Sequence, residues 1–385
     1  VRREIYTEDH EAFRKTIRGF IASEIVPVYD DWLEAGIVPR EFYNKIAELG
    51  VFGIEVPEEY GGAGVTSYKY ESVMTEELAL AGVSLGGSSV HIPLCLPYLL
   101  AQANEEQKQR WLPAMASAEA MFAIAMTEPG TGSDLAGMRT TAKLTEDGTH
   151  YVLNGSKTFI TGGVNADRVI VCARTSAPSE TDRRFGISLL VVDTTSKGYE
   201  VGRKLDKIGL RVSDTAELSF TDVLVPVEDL LGEENQGFYY LGQHLPRERL
   251  SIAVGVFAQA MAAIEFTKAY TSERQVFGKP VASFQNSKFE LAACKAKLDA
   301  MEAVVDRAIE AYDKGALSAA DAASAKLFTT EAASDIIDRC LQLHGGYGYM
   351  NEYPIARLYA DNRVARIYGG TSEVMRSIIA KNMGL

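Results

Sequence analysis

A carboxylate between two guanidinium groups stands in the segment Leu245-Pro246-Arg247-Glu248-Arg249-Leu250. Leu250, Val254, Phe257, Met261 and Ile264 follow at steps of four, three, four and three. That spacing predicts one apolar face of a helix running roughly from Phe238 to Arg274. Pro246 has no amide donor and crowds the preceding turn, so the helix is expected to start or kink there. A Glu just after that irregularity, beside Leu245 and one turn before Ile252, would be desolvated. Desolvation raises a carboxyl pKa and suits it to take a proton. The alternative is a first-turn Glu favoured by the helix dipole, or a surface partner of Arg247 or Arg249. On the helix alone the solvated alternative is the commoner outcome.

Five further stretches combine glycine with polar side chains. In Thr127-Glu128-Pro129-Gly130-Thr131-Gly132-Ser133-Asp134 two glycines let backbone amides approach a ligand, and Thr127 and Ser133 add hydroxyls at the ends. Such a loop suits a flavin edge or a phosphate, and equally a plain hairpin. In Gly155 to Gly163, period two puts Phe159 and Thr161 on one strand face, where a ring and a hydroxyl suit an isoalloxazine. A core Phe and a sheet Thr are the more common outcome. Arg274, Phe277 and Gln285 share one stretch, and Gln342 to Tyr349 carries Gly345 and Gly346 where a helix C-cap belongs. The glycine–tyrosine run there exceeds what a cap needs. In Ile367-Tyr368-Gly369-Gly370-Thr371-Ser372-Glu373-Val374, Thr371 fits an N-cap whose free amides can hold an anion or simply start a helix.

The elements around these stretches divide the chain into three. Residues 1–119 read as helices: a stripe from Phe13 to Ile25 stopped near Pro27, then Arg40 to Leu49, Ser67 to Leu80, Ser88 to Ala101 and Glu105 to Leu112, ended by Pro113. Residues 120–232 favour short strands, with Asn154-Gly155 as the strongest hairpin signal, and predict a compact antiparallel β domain. Residues 233–385 read as a four-helix bundle, with further helices over Phe284 to Tyr312, Ser318 to Leu343 and Thr371 to Lys381. The fold class is therefore α+β, multi-domain.

The 385 residues carry 39 basic and 52 acidic groups, a net charge of −13, which argues against nucleic acid or an anionic membrane as partner. No apolar run is read as a membrane span, and charge from Arg2 onwards is unlike a secretory signal, so a cytoplasmic location is expected. Cys95, Cys172, Cys294 and Cys340 are scattered, which predicts buried, reduced thiols. Five His residues without clustering predict no metal site. The absence of G-x-G-x-x-G after a strand, of a P-loop, of G-x-S-x-G and of H-E-x-x-H removes weight from nicotinamide, ATP and serine-hydrolase chemistry.

Five blocks in this order resemble the acyl-CoA dehydrogenases: Met126 to Gly130, Asn154 to Lys157, Glu273 to Lys279, Leu343 to Gly348 and Ile367 to Thr371. Nearly the whole chain is covered, and the likeness is greatest to the long-chain and isovaleryl-type members. The resemblance implies FAD between the β domain and the bundle. Met126 and Thr127 would meet the flavin pyrimidine edge, Ser133 the pyrophosphate, and Phe159 and Thr161 the flavin ring. Many members have Trp at the position of Phe159. Arg274, Phe277, Gln285, Gln342, Gly345 and Gly346 would reach the FAD of a neighbouring subunit, and Thr371 and Glu373 would contact flavin and adenosine. It further implies an acyl-CoA substrate bound near Ser133, Leu245, Arg249, Tyr368, Gly369 and Gly370, an electron-transfer flavoprotein as acceptor, and a homotetramer. Many short- and medium-chain members carry a catalytic Glu directly after the residue matching Tyr368. Here that position is Gly369, which keeps only its N–H as an oxyanion donor. The long-chain and isovaleryl-type members supply the base at the position of Glu248. Competing expectations are an acyl-CoA oxidase or flavin monooxygenase of the same fold, or a non-catalytic acyl-CoA- or flavin-binding subunit.

Overall fold

The computed structural model describes residues 3–385; Arg2, where the charged N-terminus was read to begin, lies outside them. The first part holds α1 (Glu8–Phe20), α2 (Tyr29–Ala35), α3 (Arg40–Ala47), α4 (Lys69–Leu80), α5 (Ser88–Val90), α6 (Leu96–Gln102) and α7 (Glu105–Ala116). Two of the expected stops do not act as stops. The helix through Pro27 continues by a π turn, Ile21–Ile25, and a 3-10 turn, Val26–Val28, before α2. Pro113 lies inside α7, because one lost amide bond costs less than exposing Trp111, Leu112 and Met115, which are all buried.

The middle part holds β1 (Phe122–Ala125), β2 (Thr141–Leu144), β3 (His150–Ile160), β4 (Arg168–Arg174), β5 (Ile187–Asp193), β6 (Tyr199–Lys204), β7 (Ala216–Pro226) and β8 (Leu230–Leu231). They form one sheet in the order β6-β7-β3-β2-β4-β5-β8, with β1 on β4. The sheet is mixed rather than antiparallel throughout, since β1 and β2 both run parallel to β4. Asn154-Gly155 makes no hairpin. Gly155, at φ +148°, sits inside β3 at a register irregularity against β7, where a side chain would strike Thr140. The β2–β3 turn is instead at Asp147-Gly148, where Asp147 accepts the Thr149 amide at 3.1 Å and Gly148 takes φ +69°.

The last part holds α8 (Gly237–Glu273), a small hairpin of β9 (Gln275–Val276) and β10 (Lys279–Pro280), then α9 (Gln285–Asp313), α10 (Ala319–His344), α11 (Pro354–Asn362) and α12 (Ser372–Asn382). α8 is the shared strut. Tyr240 and Leu241 join the core between α6, α7 and the sheet, while Leu250 to Ile264 lie in the bundle core with α9 and α10. Its apolar surface is wider than one stripe: Ala253, Val256, Ala258, Ala260, Ala262 and Ala263 are buried too. On length and composition α8 is apolar enough to cross a membrane, contrary to the sequence expectation, with 61% of its most apolar window buried against the rest of the protein. All four cysteines are free and buried.

Candidate active site

α8 runs without interruption through Pro246, so Glu248 lies about three turns inside it and not in a dipole-favoured first turn. Burial, not the helix end, sets its chemistry. Glu248 is 6% exposed, and its Oε1 accepts a hydrogen bond from the Tyr98 hydroxyl at 3.1 Å. Burial raises its carboxyl to about 7, against the opposing pull of Tyr98 and Arg249. The surface-partner alternative fails because the flanking guanidiniums go elsewhere. Arg247 donates to both oxygens of Glu55 at 2.6 Å, to Glu71 at 3.1 Å and to Pro93 O at 3.1 Å, all within the first part of the chain. Burial pushes Glu71 up to about 7, opposed by Arg247.

Arg249, also buried, donates from Nε to Gly369 O at 3.5 Å. Gly369 is glycine for two reasons. Its φ is +61°, and a Cβ would stand 2.5 Å from Ile252 Cδ1. At Gly370 a Cβ would stand 2.6 Å from Met375 Cε, so side-chain ends of Ile252 and Met375 pack over both glycines. Lys326 of α10, 1% exposed, donates to Gly370 O, so two cations grip consecutive carbonyls of this loop. Burial, helped by Arg249, lowers Lys326 to about 8. Tyr368 is 44% exposed, and Leu245 is half-buried one residue before Pro246.

The glycine loop after β1 is held by a buried ion pair. Glu128 accepts from Thr140 N at 2.9 Å and from Lys157 Nζ at 3.0 Å, and Lys157 also donates to Met126 O at 2.9 Å. Thr158 N donates to Thr127 O at 2.9 Å. Met126 and Thr127 are half-buried, Ser133 is exposed, and open space surrounds Gly130 and Gly132. Phe159 and Thr161 do not alternate as regular strand residues: the β3–β7 register shifts between Lys157 and Ile160, and Phe159 sits at φ +61° with its ring 67% exposed. Thr161 lies 3.4 Å from the Thr215 hydroxyl. Thr371 caps α12 by accepting Val374 N at 3.3 Å, and the Glu373 side chain is 77% exposed.

A second group forms at the far end of α8. Arg274, Gln342, Gly345 and Gly346 line a cavity of about 610 Å³ with Tyr270 and Tyr347. The Arg274 guanidinium lies 5.3 Å from the Tyr347 ring centroid, and the Tyr270 ring stacks on His344. Phe277, at the hairpin tip, is 96% exposed, and Gln285 is exposed as the first residue of α9. Neither lines the cavity. Along α8, Arg274 is about 40 Å from Glu248 at 1.5 Å per residue. The structure thus separates Glu248, Arg249, Gly369 and Gly370 from Arg274, Gln342, Gly345 and Gly346, and leaves Phe277 and Gln285 outside the cavity.

Sequence reasoning gave no role to the side chains of Tyr98, Lys157 or Lys326. A single Tyr in the apolar run Leu94 to Leu100, and a single Lys among buried alanines from Ala322 to Ala333, were the available signals.

Comparison with known proteins matches this arrangement along its length. Residues 7–119, 123–223 and 235–384 match the family models described as the N-terminal, middle and C-terminal domains of acyl-CoA dehydrogenase. The long-chain specific acyl-CoA dehydrogenase, mitochondrial, of Sus scrofa is 43% identical over 381 residues, covering 99% of this chain and 88% of that protein. An acyl-CoA dehydrogenase structure from Geobacillus kaustophilus superposes with a TM-score of 0.95 at 44% identity, covering 99% of both chains. A Bacillus anthracis acyl-CoA dehydrogenase solved in complex with FAD gives 0.90 at 32% identity, covering 98% of this chain and 67% of that one. The chain belongs to the acyl-CoA dehydrogenase family.

Proposed function

We propose that this protein is an FAD-dependent dehydrogenase that converts an acyl-CoA thioester to its trans-2-enoyl-CoA, with Glu248 as the base, and passes the electrons to an electron-transfer flavoprotein. The observation that carries the reading is Glu248: a buried carboxylate, raised to about 7, beside a loop whose position 369 has no carboxylate of its own. A base near neutral pKa is matched to the weakly acidic proton alpha to a thioester. Oε1 is occupied by Tyr98, which leaves Oε2 for the proton. The Gly369 N–H serves the thioester oxygen as charge builds there, and Arg249 and Lys326 hold that loop by its carbonyls. FAD, when bound, supplies the acceptor for the β-carbon hydride.

The residues present fit that group. An exposed Phe159 ring, the half-buried hydroxyls of Thr127 and Thr161, open glycine amides at Gly130 and Gly132, and the capped start of α12 suit a flavin and its phosphates. The Arg274 cavity lies too far along α8 to serve the same cofactor within one chain. We assign it, with Phe277 and Gln285, to the FAD of a second copy, which supports self-association; the assembly we propose is a homotetramer.

The test is anaerobic addition of acyl-CoAs of graded length and branching to the purified yellow protein. Bleaching of the flavin by one of them, with recovery by an electron-transfer flavoprotein and little oxygen uptake, is expected. Rapid oxygen uptake would make it an oxidase. A colourless protein that cannot be reconstituted with FAD would overturn the reading.

A further inference from the structure

Tyr98 reaches Glu248 from 150 residues away in the chain and from a different part of the fold. The reason it arrives there is local. A π turn, His91–Cys95, precedes α6, and its extra residue re-aims the side chains that follow. Arg247 fixes that turn against α8 by donating to Pro93 O at 3.1 Å. The Tyr98 ring is fully buried and lies 4.2 Å from the His244 ring, one turn before Glu248 on α8. Its hydroxyl donates to Glu248 Oε1 at 3.1 Å. Among the described residues this is the hydrogen bond the Glu248 side chain receives.

We infer that Tyr98 is a positioning residue for the base: it fixes the carboxylate through Oε1 and directs Oε2 to the substrate. This rests on the reading of Glu248 given above. A buried carboxylate without a donor would hold its proton more tightly and be ionised in fewer molecules at neutral pH.

The surrounding groups make the effect readable. Burial and the charge of Glu248 keep the Tyr98 hydroxyl protonated, well above its ordinary range. Cys95 of the π turn is likewise raised by burial and by Glu248, and burial pushes Cys172 of β4 up to about 12. Burial lowers His244 to about 4, so it is neutral. Arg249 is pulled down by burial and up by Glu248, and a guanidinium keeps its charge at these pH values. Lys326, lowered to about 8, faces Arg249 from α10. Two carboxyls here are raised to about 7, Glu248 and, beyond Arg247, Glu71; the band lost in Glu248→Gln separates the first from the second.

The experiment uses the FAD-loaded protein. The protonated-carboxyl infrared band lost in Glu248→Gln is followed with pH in the parent and in Tyr98→Phe, alongside the pH dependence of acyl-CoA-driven bleaching. In Tyr98→Phe both the band and the acidic limb of the rate should move up by about one pH unit, the scale of one hydrogen bond to a buried charge. Incorporation of 3,5-difluorotyrosine at position 98, a stronger donor of nearly the same shape, should move both down; it decides the matter should the Phe variant fold poorly. An infrared titration unmoved by either change overturns the inference. Normal bleaching by Glu248→Gln would instead overturn the base assignment, and the infrared titration would still report on Tyr98.

Discussion

The two ends of α8 present opposite environments. Around Glu248, Arg247, Arg249 and Tyr98 are buried, and each has a partner within the chain. Around Arg274, the cation, Gln342, Gly345 and Gly346 are exposed and border an open cavity, and Phe277 stands exposed at the hairpin tip beyond it. The first end is chemically complete in one copy. The second offers donors and an aromatic surface with nothing of its own to hold. Removing a paired cation at the first end should therefore cost stability, whereas on the reading proposed above removing the cation at the second should weaken FAD binding and self-association instead.

That contrast is broken most directly by paired substitutions. Arg247→Ala strands Glu55 and Glu71 without a countercharge. It should cost about 3–5 kcal/mol in denaturant unfolding, the range for uncoupling a buried ion pair. Arg274→Ala removes an exposed cation and should change unfolding by less than about 0.5 kcal/mol. Its effect should appear as loss of FAD on dilution and as coupled dissociation of the oligomer in sedimentation. Equal unfolding costs for the two would erase the distinction between the ends.

A smaller effect sharpens the buried end. The Glu248 carboxyl is raised in the folded state, from the ordinary 4.5 to about 7. A raised folded pKa gives relative stability that is full below the unfolded pKa and is lost as pH rises through the folded one. Glu248→Gln should therefore be more stable than the parent at pH 8, by on the order of a few kcal/mol. The difference should shrink as pH falls through 7 toward 4.5. A thermal-melt difference independent of pH would show that Glu248 is ionised freely in the fold.

The smallest expected gain tests the space at Gly369. In a Glu248→Gln background, Gly369→Glu moves the carboxylate to the position used by other members of the family. Ile252 Cδ1 occupies that space, 2.5 Å from the added Cβ, and φ is +61°. The double variant should recover little bleaching, and adding Ile252→Ala should recover more. Equal recovery with and without Ile252 would mean that the loop rearranges.

The order of helices and strands was legible because period and glycine–proline punctuation act locally. Glu248 was legible only through the resemblance: on its own helix the solvated alternative was favoured, and burial by distant elements reversed it. Tyr98 was not legible, because nothing local marks a contact across 150 residues. Pro27 and Pro113 misled as helix stops, and Pro246 as a helix start, because tertiary burial outweighs a single missing amide bond. Asn154-Gly155 misled because a glycine needed for a bulge against Thr140 reads the same as one needed for a turn.

The central claim is that Glu248 takes the α-proton. It is tested by anaerobic rapid mixing of FAD-loaded Glu248→Gln with an acyl-CoA that bleaches the parent. The side chain keeps its size and its place beside Tyr98 but cannot accept the proton. Binding of FAD and acyl-CoA should persist, while flavin bleaching slows by at least about a hundredfold, the usual scale of a general base. Near-parental bleaching would contradict the account and turn attention to Glu373, whose side chain is 77% exposed.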